Sequence, residues 1–318
     1  MTKIDLITGV LGAGKTTFLQ HYARFLLGQG LKLGILVYDF GAVNVDLPLL
    51  KDLRGERCEL ETLAGSCDPD CHRRRFRTKL ISMAMSGYDR VIIEPSGVFD
   101  MDEFYDTLQE APLDRWYEIG SVIAVVDAGL EENFTEEEDF FLASQAVSAG
   151  CVLLSRLQCV DAEAVERTLR HLERACEYIR ADRIPLERIL IKDWNAFTEE
   201  DYRKLMESGY RVPRYVKTIA GENIGFQSLS YLDLPEGGEN LREQAKKLLQ
   251  DSAYGNVLRV KGFFMEKGQW YELNATAKET RVAETLTTRS TVTVIGNGLN
   301  ENAVCLLLTG KQPELRQL

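Results

Sequence analysis

The chain has 318 residues, 45% of them apolar, with 38 Lys plus Arg against 49 Asp plus Glu and a formal net charge of -11. That length suits two domains better than one. The acidic balance disfavours nonspecific binding to nucleic acid or anionic membranes, and no run approaches the roughly 20 apolar residues of a membrane span.

Lys3-Ile4-Asp5-Leu6-Ile7 predicts a short buried strand. It leads into Gly9-Val10-Leu11-Gly12-Ala13-Gly14-Lys15-Thr16, which fits the phosphate-cradling G-x-x-x-x-G-K-[ST]. Thr17, Phe18, Leu19, Tyr22, Phe25 and Leu26 then give the apolar stripe of a helix. The glycines let backbone N–H groups turn toward a polyphosphate, and the helix start adds free N–H groups and partial positive charge. Lys15 is expected along the β- and γ-phosphates and the Thr16 hydroxyl on Mg²⁺. A dinucleotide fingerprint fails on spacing, because Lys15-Thr16-Thr17 follows Gly14 where a third glycine is needed.

Leu33–Val37 predicts a second strand ending near Asp39, and Cys58–Leu63 a third. A basic segment from His72 to Lys79 opens a helix that Ile81 and Met85 are expected to anchor. Arg90–Ile93 and Ser121–Val126 are buried strands. Thr135 with Glu138 predicts a capping box, so most of the acidic run from Glu131 to Asp139 is expected to be a solvated helix start rather than a metal site. Val152–Leu154, a helix from about Asp161 to Arg180, a strand at Arg188–Ile191 and a helix capped by Thr198 follow.

Strands alternating with helices imply an α/β domain, residues 1–212, with a mainly parallel sheet covered by helices on both faces. Beyond Pro213 the rhythm changes. A helix near Glu239–Gln250, runs at Val257–Phe264, Gln269–Ala275 and Thr291–Ile295, and a closing helix at Glu301–Leu308 predict a smaller α+β domain, residues 213–318.

A P-loop needs partners at nearby strand ends. Glu94, closing Val91-Ile92-Ile93, is placed like a Walker B carboxylate that holds Mg²⁺. Gly97 can offer a backbone N–H to the γ-phosphate, and Asp39 is placed like a switch-region acid. Seven cysteines in irregular spacing describe no disulfide framework. Met1-Thr2-Lys3 runs into the first strand without an apolar leader, so a cytoplasmic protein with reduced thiols is expected. Cys151, Cys159, Cys176 and Cys305 read as small packing residues, and His21 and His171 as structural or surface groups.

These motifs together resemble the CobW-like GTPases, relatives of the accessory proteins that deliver nickel to urease and hydrogenase. Gly9–Thr17 is similar to the family's G-F-L-G-[AS]-G-K-T-T, and Tyr38–Asp46 to its N-E-F-G-E-V-G-I-D. Glu94-Pro95-Ser96-Gly97-Val98 resembles E-T-S-G-L, and Gly255–Phe263 resembles G-x-[VL]-x-R-x-K-G-F. The resemblance spans nearly the whole chain. It implies hydrolysis of GTP, with Mg²⁺, coupled to metal delivery or metallocofactor assembly for a metalloenzyme or corrinoid-protein client.

Two departures alter what is expected. Where the family reads guanine with N-K-x-D, this chain has Ser155-Arg156-Leu157-Gln158. Gln158 is neutral, with a donor and an acceptor, so GTP remains favoured by resemblance while ATP is tolerated more readily. Arg156 can lie over a base as lysine's stem does. Where the family has G-C-x-C-C, this chain has Gly65-Ser66-Cys67-Asp68-Pro69-Asp70-Cys71-His72. Cys67, Cys71 and His72 can supply three ligands suited to an exchangeable Zn²⁺ or Co²⁺, with Cys58 or Asp70 to complete the set; the other reading is an ordinary polar loop with two free thiols. The alternatives are a nucleotide switch that docks on a cofactor enzyme without carrying metal, and an ATP-dependent small-molecule kinase. Intrinsic hydrolysis is expected to be slow, since no water-positioning glutamine or built-in arginine finger is evident. A homodimer across the nucleotide is one way to supply such a group.

Overall fold

The long apolar runs of the first 200 residues become the inner strands of one parallel sheet. The computed structural model describes residues 1–39, 50–64, 69–130, 134–217, 226–232, 234, 238–277, 280–285 and 290–310. They fall into two compact units, one within Met1–Asp39 and Leu49–Ile224, the other within Gly225–Leu318.

The first unit holds β1 (Thr2–Thr8), β2 (Leu33–Asp39), β3 (Cys58–Ala64), β4 (Arg90–Glu94), β5 (Tyr117–Asp127), β6 (Cys151–Ser155) and β7 (Ile189–Leu190). Their order is β3-β2-β4-β1-β5-β6-β7, with every pair parallel. β4 is buried at every residue, as a strand covered on both faces must be, which explains its unbroken apolar run. Helices α1 (Lys15–Gly28), α2 (Pro69–Ala84), α3 (Met101–Gln109), α4 (Leu113–Trp116), α5 (Glu136–Ser148), α6 (Ala162–Tyr178) and α7 (Glu199–Met206) connect them. The capping boxes at Thr135–Glu138 and Thr198–Asp201 form as the sequence predicts.

Several local expectations are corrected. In α2 the inward residues are Phe76, Leu80 and Met83; Met85 lies beyond the helix end and is 86% exposed, and Ile81 is half-buried. The helical period continues one turn too far when the chain actually leaves at Ala84. α3 and α4 follow the strand-end segment after β4 and were not anticipated. The polar Asp102-Glu103 pair and Pro112 mask a helix whose Met101, Phe104, Tyr105 and Leu108 are all buried.

An ionic centre ties these elements from below. Asp5, fully buried on β1, pairs with Arg90 of β4 and accepts from Tyr22 Oη of α1 at 2.9 Å and from the Ser121 N–H of β5 at 2.8 Å. Burial pushes the Asp5 carboxyl up despite the opposing Arg90 charge. The chain stays with this unit through Lys217. The Arg211 N–H donates to Ser148 O, Tyr215 Oη donates to Asp102 at 3.0 Å, and the Val216 N–H donates to Ile179 O.

The second unit is a five-stranded antiparallel sheet in the order β11-β10-β9-β12-β8, built from β8 (Phe226–Leu232), β9 (Asn256–Glu266), β10 (Gln269–Thr276), β11 (Thr280–Glu284) and β12 (Thr291–Asn297). Helices α8 (Gly238–Gln250) and α9 (Glu301–Thr309) pack their Leu241, Ala245, Leu248, Val304 and Leu308 against Val260, Leu273, Val292 and Val294 of the sheet. β8 and β11 were not predicted: each lies at a sheet edge, and polar residues such as Ser228, Ser230, Arg281 and Glu284 break the apolar signal. Among the described residues no helix is long and apolar enough to cross a membrane.

Candidate nucleotide site

Every strand of a parallel sheet ends on the same edge, and ligands bind in the crevice beyond the carboxyl ends where strand order reverses. Here β1 is that point, since the chain goes first to β2 on one side and later to β5 on the other. The P-loop follows β1, with Glu94 at the end of β4, Asp127 at the end of β5 and Ser155 at the end of β6.

Gly9 shows why glycine opens the loop. A Cβ there would lie 2.2 Å from Val125 O, and its φ is +146°. Gly12 (+80°) and Gly14 (+96°) are also left-handed, and Gly14 stands at the N-cap of α1. The loop closes through Ala13 N–H to Val10 O. Lys15, 8% exposed, folds back so that Nζ donates to Gly9 O at 2.8 Å and to Val10 O at 3.3 Å. Thr16 Oγ1 donates to Glu94 Oε1 at 2.6 Å, bringing together two oxygens 78 positions apart. Thr17 is exposed.

Gly97 is buried against the P-loop: a Cβ on it would lie 2.4 Å from the Leu11 nitrogen and 2.9 Å from Val10 C. Its carbonyl accepts from Gln145 Nε2 at 3.0 Å, and the same amide lies 3.4 Å from Phe99 O. Gln145, 1% exposed on α5, went unnoticed in the sequence, although a lone amide inside Phe140–Val147 is a usable signal. So did Asp127, which accepts from Arg156 Nη1 at 2.9 Å and from the Gly129 N–H at 2.8 Å.

At the position expected to read the base, Ser155 is buried, Arg156 is left-handed (φ 56°) and bound to Asp127, and Gln158 is exposed in a short 3-10 turn. Arg156 thus lies against a carboxylate at the neighbouring strand end. Trp194, in a 3-10 turn after β7, packs near Gly14; no motif in the sequence singles it out, because it lies 180 positions from that glycine.

The backbone of Asp39 closes β2, but its side chain lies outside the described residues, as does Cys67. Cys71 and His72 fall in the first turn of α2, and their side chains also lie outside the described residues. Among the described residues no cluster of three His, Cys, Asp or Glu could hold a metal. Cys58 begins β3, six residues from the strand's carboxyl end, or about 20 Å at 3.3 Å per residue. It is also 2% exposed, and burial pushes its thiol up to about 11. Arg73, whose charge could have acted on those thiols, is paired with Glu110 at 2.6 Å. Cys176 is buried as expected, but Cys159 is exposed rather than packed. His171 is buried against Asp139 at 2.6 Å, a structural histidine.

The donor set fits a magnesium nucleotide. Thr16 and Glu94 present adjoining oxygens, Lys15 covers the loop, and the Gly97 backbone abuts its mouth. Residues 3–181 match the family model described as CobW/HypB/UreG, nucleotide-binding domain. The chain is 29% identical over 143 residues to the zinc chaperone YeiR of Escherichia coli, covering 44% of this chain and 42% of that protein. It is 25% identical to the zinc chaperone YjiA of the same species, covering 84% of this chain and 82% of that one. It is also 25% identical to the zinc chaperone CobW of Pseudomonas aeruginosa, covering 82% and 76%. A solved structure of Zn(II)-bound YjiA GTPase from E. coli aligns over 98% of this chain and 99% of that one at 19% identity, with a TM-score of 0.38 that adds nothing to the assignment. With the family model matching more than half of this chain, the chain belongs to the CobW/HypB/UreG family, as a P-loop nucleoside triphosphatase.

Proposed function

We propose that the chain binds and slowly hydrolyses GTP with Mg²⁺, and couples nucleotide state to delivery of a transition metal, zinc ahead of cobalt, to a client protein. The contact that carries the nucleotide part is Thr16 Oγ1 to Glu94 Oε1 at 2.6 Å, the two side chains that would share Mg²⁺. When bound, Mg²⁺ neutralises charge on the β- and γ-phosphate oxygens. Lys15 leaves the Gly9 carbonyl for those oxygens, the N–H groups of Gly12, Ala13 and Gly14 cradle them, and the Gly97 N–H meets the terminal phosphate. Gln145 steadies Gly97 through its carbonyl. Asp39 and Glu94 are the acids assigned to the reacting end, and Ser155, Arg156 and Gln158 to the base.

Zinc is favoured because YeiR, YjiA and the P. aeruginosa CobW are all named zinc chaperones. Cys67, Cys71 and His72 are the proposed ligands, between the segments after β2 and β4 in sequence. The nucleotide domain is assigned to the first unit, which runs through Lys217, and the client-facing domain to the second, in a cytoplasmic protein that dimerises across the nucleotide. The test is a Zn²⁺ titration with and without a nonhydrolysable GTP analogue. Linkage requires any shift in metal affinity to appear equally in nucleotide affinity. Equal Zn²⁺ affinities in both conditions, unchanged by Cys67→Ser and Cys71→Ser, would remove the metal half and leave a nucleotide switch. ATP bound at least as tightly as GTP would overturn the base assignment.

A further inference from the structure

Three parts of the chain far apart in sequence converge on one spot beside the P-loop. A Cβ placed on Gly14 would lie 3.3 Å from Trp194 Cη2, 3.9 Å from Ser155 Cβ and 4.0 Å from Ser155 Oγ. Gly14 precedes the phosphate-binding lysine, and Ser155 opens the segment assigned to the base. A nucleotide spanning the two must pass this spot. We propose that Trp194 is an aromatic wall of the base site and that this chain holds the nucleobase chiefly by stacking on it. The proposal rests on the nucleotide reading above and deepens it.

The local structure presents the indole deliberately. Asp193 caps the turn, its carboxylate accepting from the Asn195 N–H at 2.9 Å. The ring then packs on α1, with Phe18 at 5.9 Å and His21 at 6.4 Å between centroids. Phe18 beneath it is fully buried, whereas Trp194 stays half-buried. A residue serving only the core at this position would be expected to disappear into it, as Phe18 does.

The hydrogen-bonding side of the site calls for such a wall. Ser155-Arg156-Leu157-Gln158 contains no carboxylate to accept from guanine. The acid at the neighbouring strand end, Asp127, is engaged by Arg156 and by the Gly129 N–H. An aromatic face binds every base, because every base has a π-face, so stacking supplies affinity without base selectivity.

The experiment compares the parent with Trp194→Leu, which keeps apolar contact with Phe18, and Trp194→Phe, which keeps an aromatic face. Mg²⁺-GTP, Mg²⁺-ATP and inorganic tripolyphosphate are titrated against each. Trp194→Leu should weaken GTP and ATP by a similar factor, about 5- to 150-fold, with tripolyphosphate unchanged and Trp194→Phe close to the parent. Energy transfer from tryptophan to an N-methylanthraniloyl-GTP should fall in Trp194→Phe and persist in Trp116→Phe; Trp270 is the only other tryptophan. Nucleotide affinities unaltered in Trp194→Leu would overturn the proposal, as would a parallel loss of tripolyphosphate, which would make Trp194 a support for the P-loop. A parent that binds none of the three ligands would instead overturn the nucleotide reading itself, and this proposal with it.

Discussion

Gly97→Ala probes the contact between the segment after β4 and the P-loop. The added methyl would stand 2.4 Å from the Leu11 nitrogen, 2.9 Å from Leu11 Cγ and 2.9 Å from Val10 C. Ordinary contact at such backbone atoms begins near 3.4 Å, so one side must retreat by about 1 Å. The P-loop has little room, because Gly9 already lies against Val125 O, where a Cβ would sit at 2.2 Å. The 97 segment is therefore the side that moves, against the hold of Gln145 on its carbonyl. A 1 Å displacement takes an N–H···O pair from about 2.9 Å to beyond hydrogen-bonding distance. A hydrogen bond to a charged group contributes about 1.5–3 kcal/mol, or about 10- to 150-fold in affinity. The expected loss falls on a nonhydrolysable GTP analogue, while GDP, with no γ-phosphate, is affected much less. Calorimetric titration of both ligands measures the ratio. A Gly97→Ala protein that keeps the parent's ratio of the two affinities would refute the assignment of Gly97 to the terminal phosphate.

Thr16→Ala removes the hydroxyl 2.6 Å from Glu94 and should weaken Mg²⁺ in the nucleotide complex at least about 10-fold. With EDTA present, nucleotide affinity should match the parent, and a loss of equal size there would mean the loop itself had been damaged. Asp5→Asn leaves the Arg90 guanidinium buried without its counter-charge and should cost about 3–5 kcal/mol in urea unfolding; a change under about 1 kcal/mol would show that Tyr22 and Ser121 carry that centre. Burial and the neighbouring Asp100 push the Glu103 carboxyl up to about 7, against Arg73 and Lys217. A carboxyl raised in the folded state favours folding below its unfolded value near 4.5, and that contribution is lost as pH rises through about 7. Glu103→Gln should therefore raise the melting temperature at pH 8 and leave it nearly unchanged at pH 4.5; equal shifts at both would count against the titration.

Much of this was legible in the residues themselves. Gly9–Thr16, the strand into Glu94 and the alternation of apolar strands with amphipathic helices define a P-loop α/β domain, because local spacing fixes both backbone conformation and the order of strand ends. The two capping boxes were readable for the same reason: each is closed within four residues. What folding alone decided is every partnership between distant segments. Gln145 reaching Gly97, Arg156 turned onto Asp127, Asp5 locked to Arg90, and Trp194 set beside Gly14 and Ser155 each join positions 29 or more apart. A parallel sheet gathers the carboxyl ends of its strands on one edge and sends their beginnings to the other, and which residues meet there depends on strand order, which no single stretch of sequence contains.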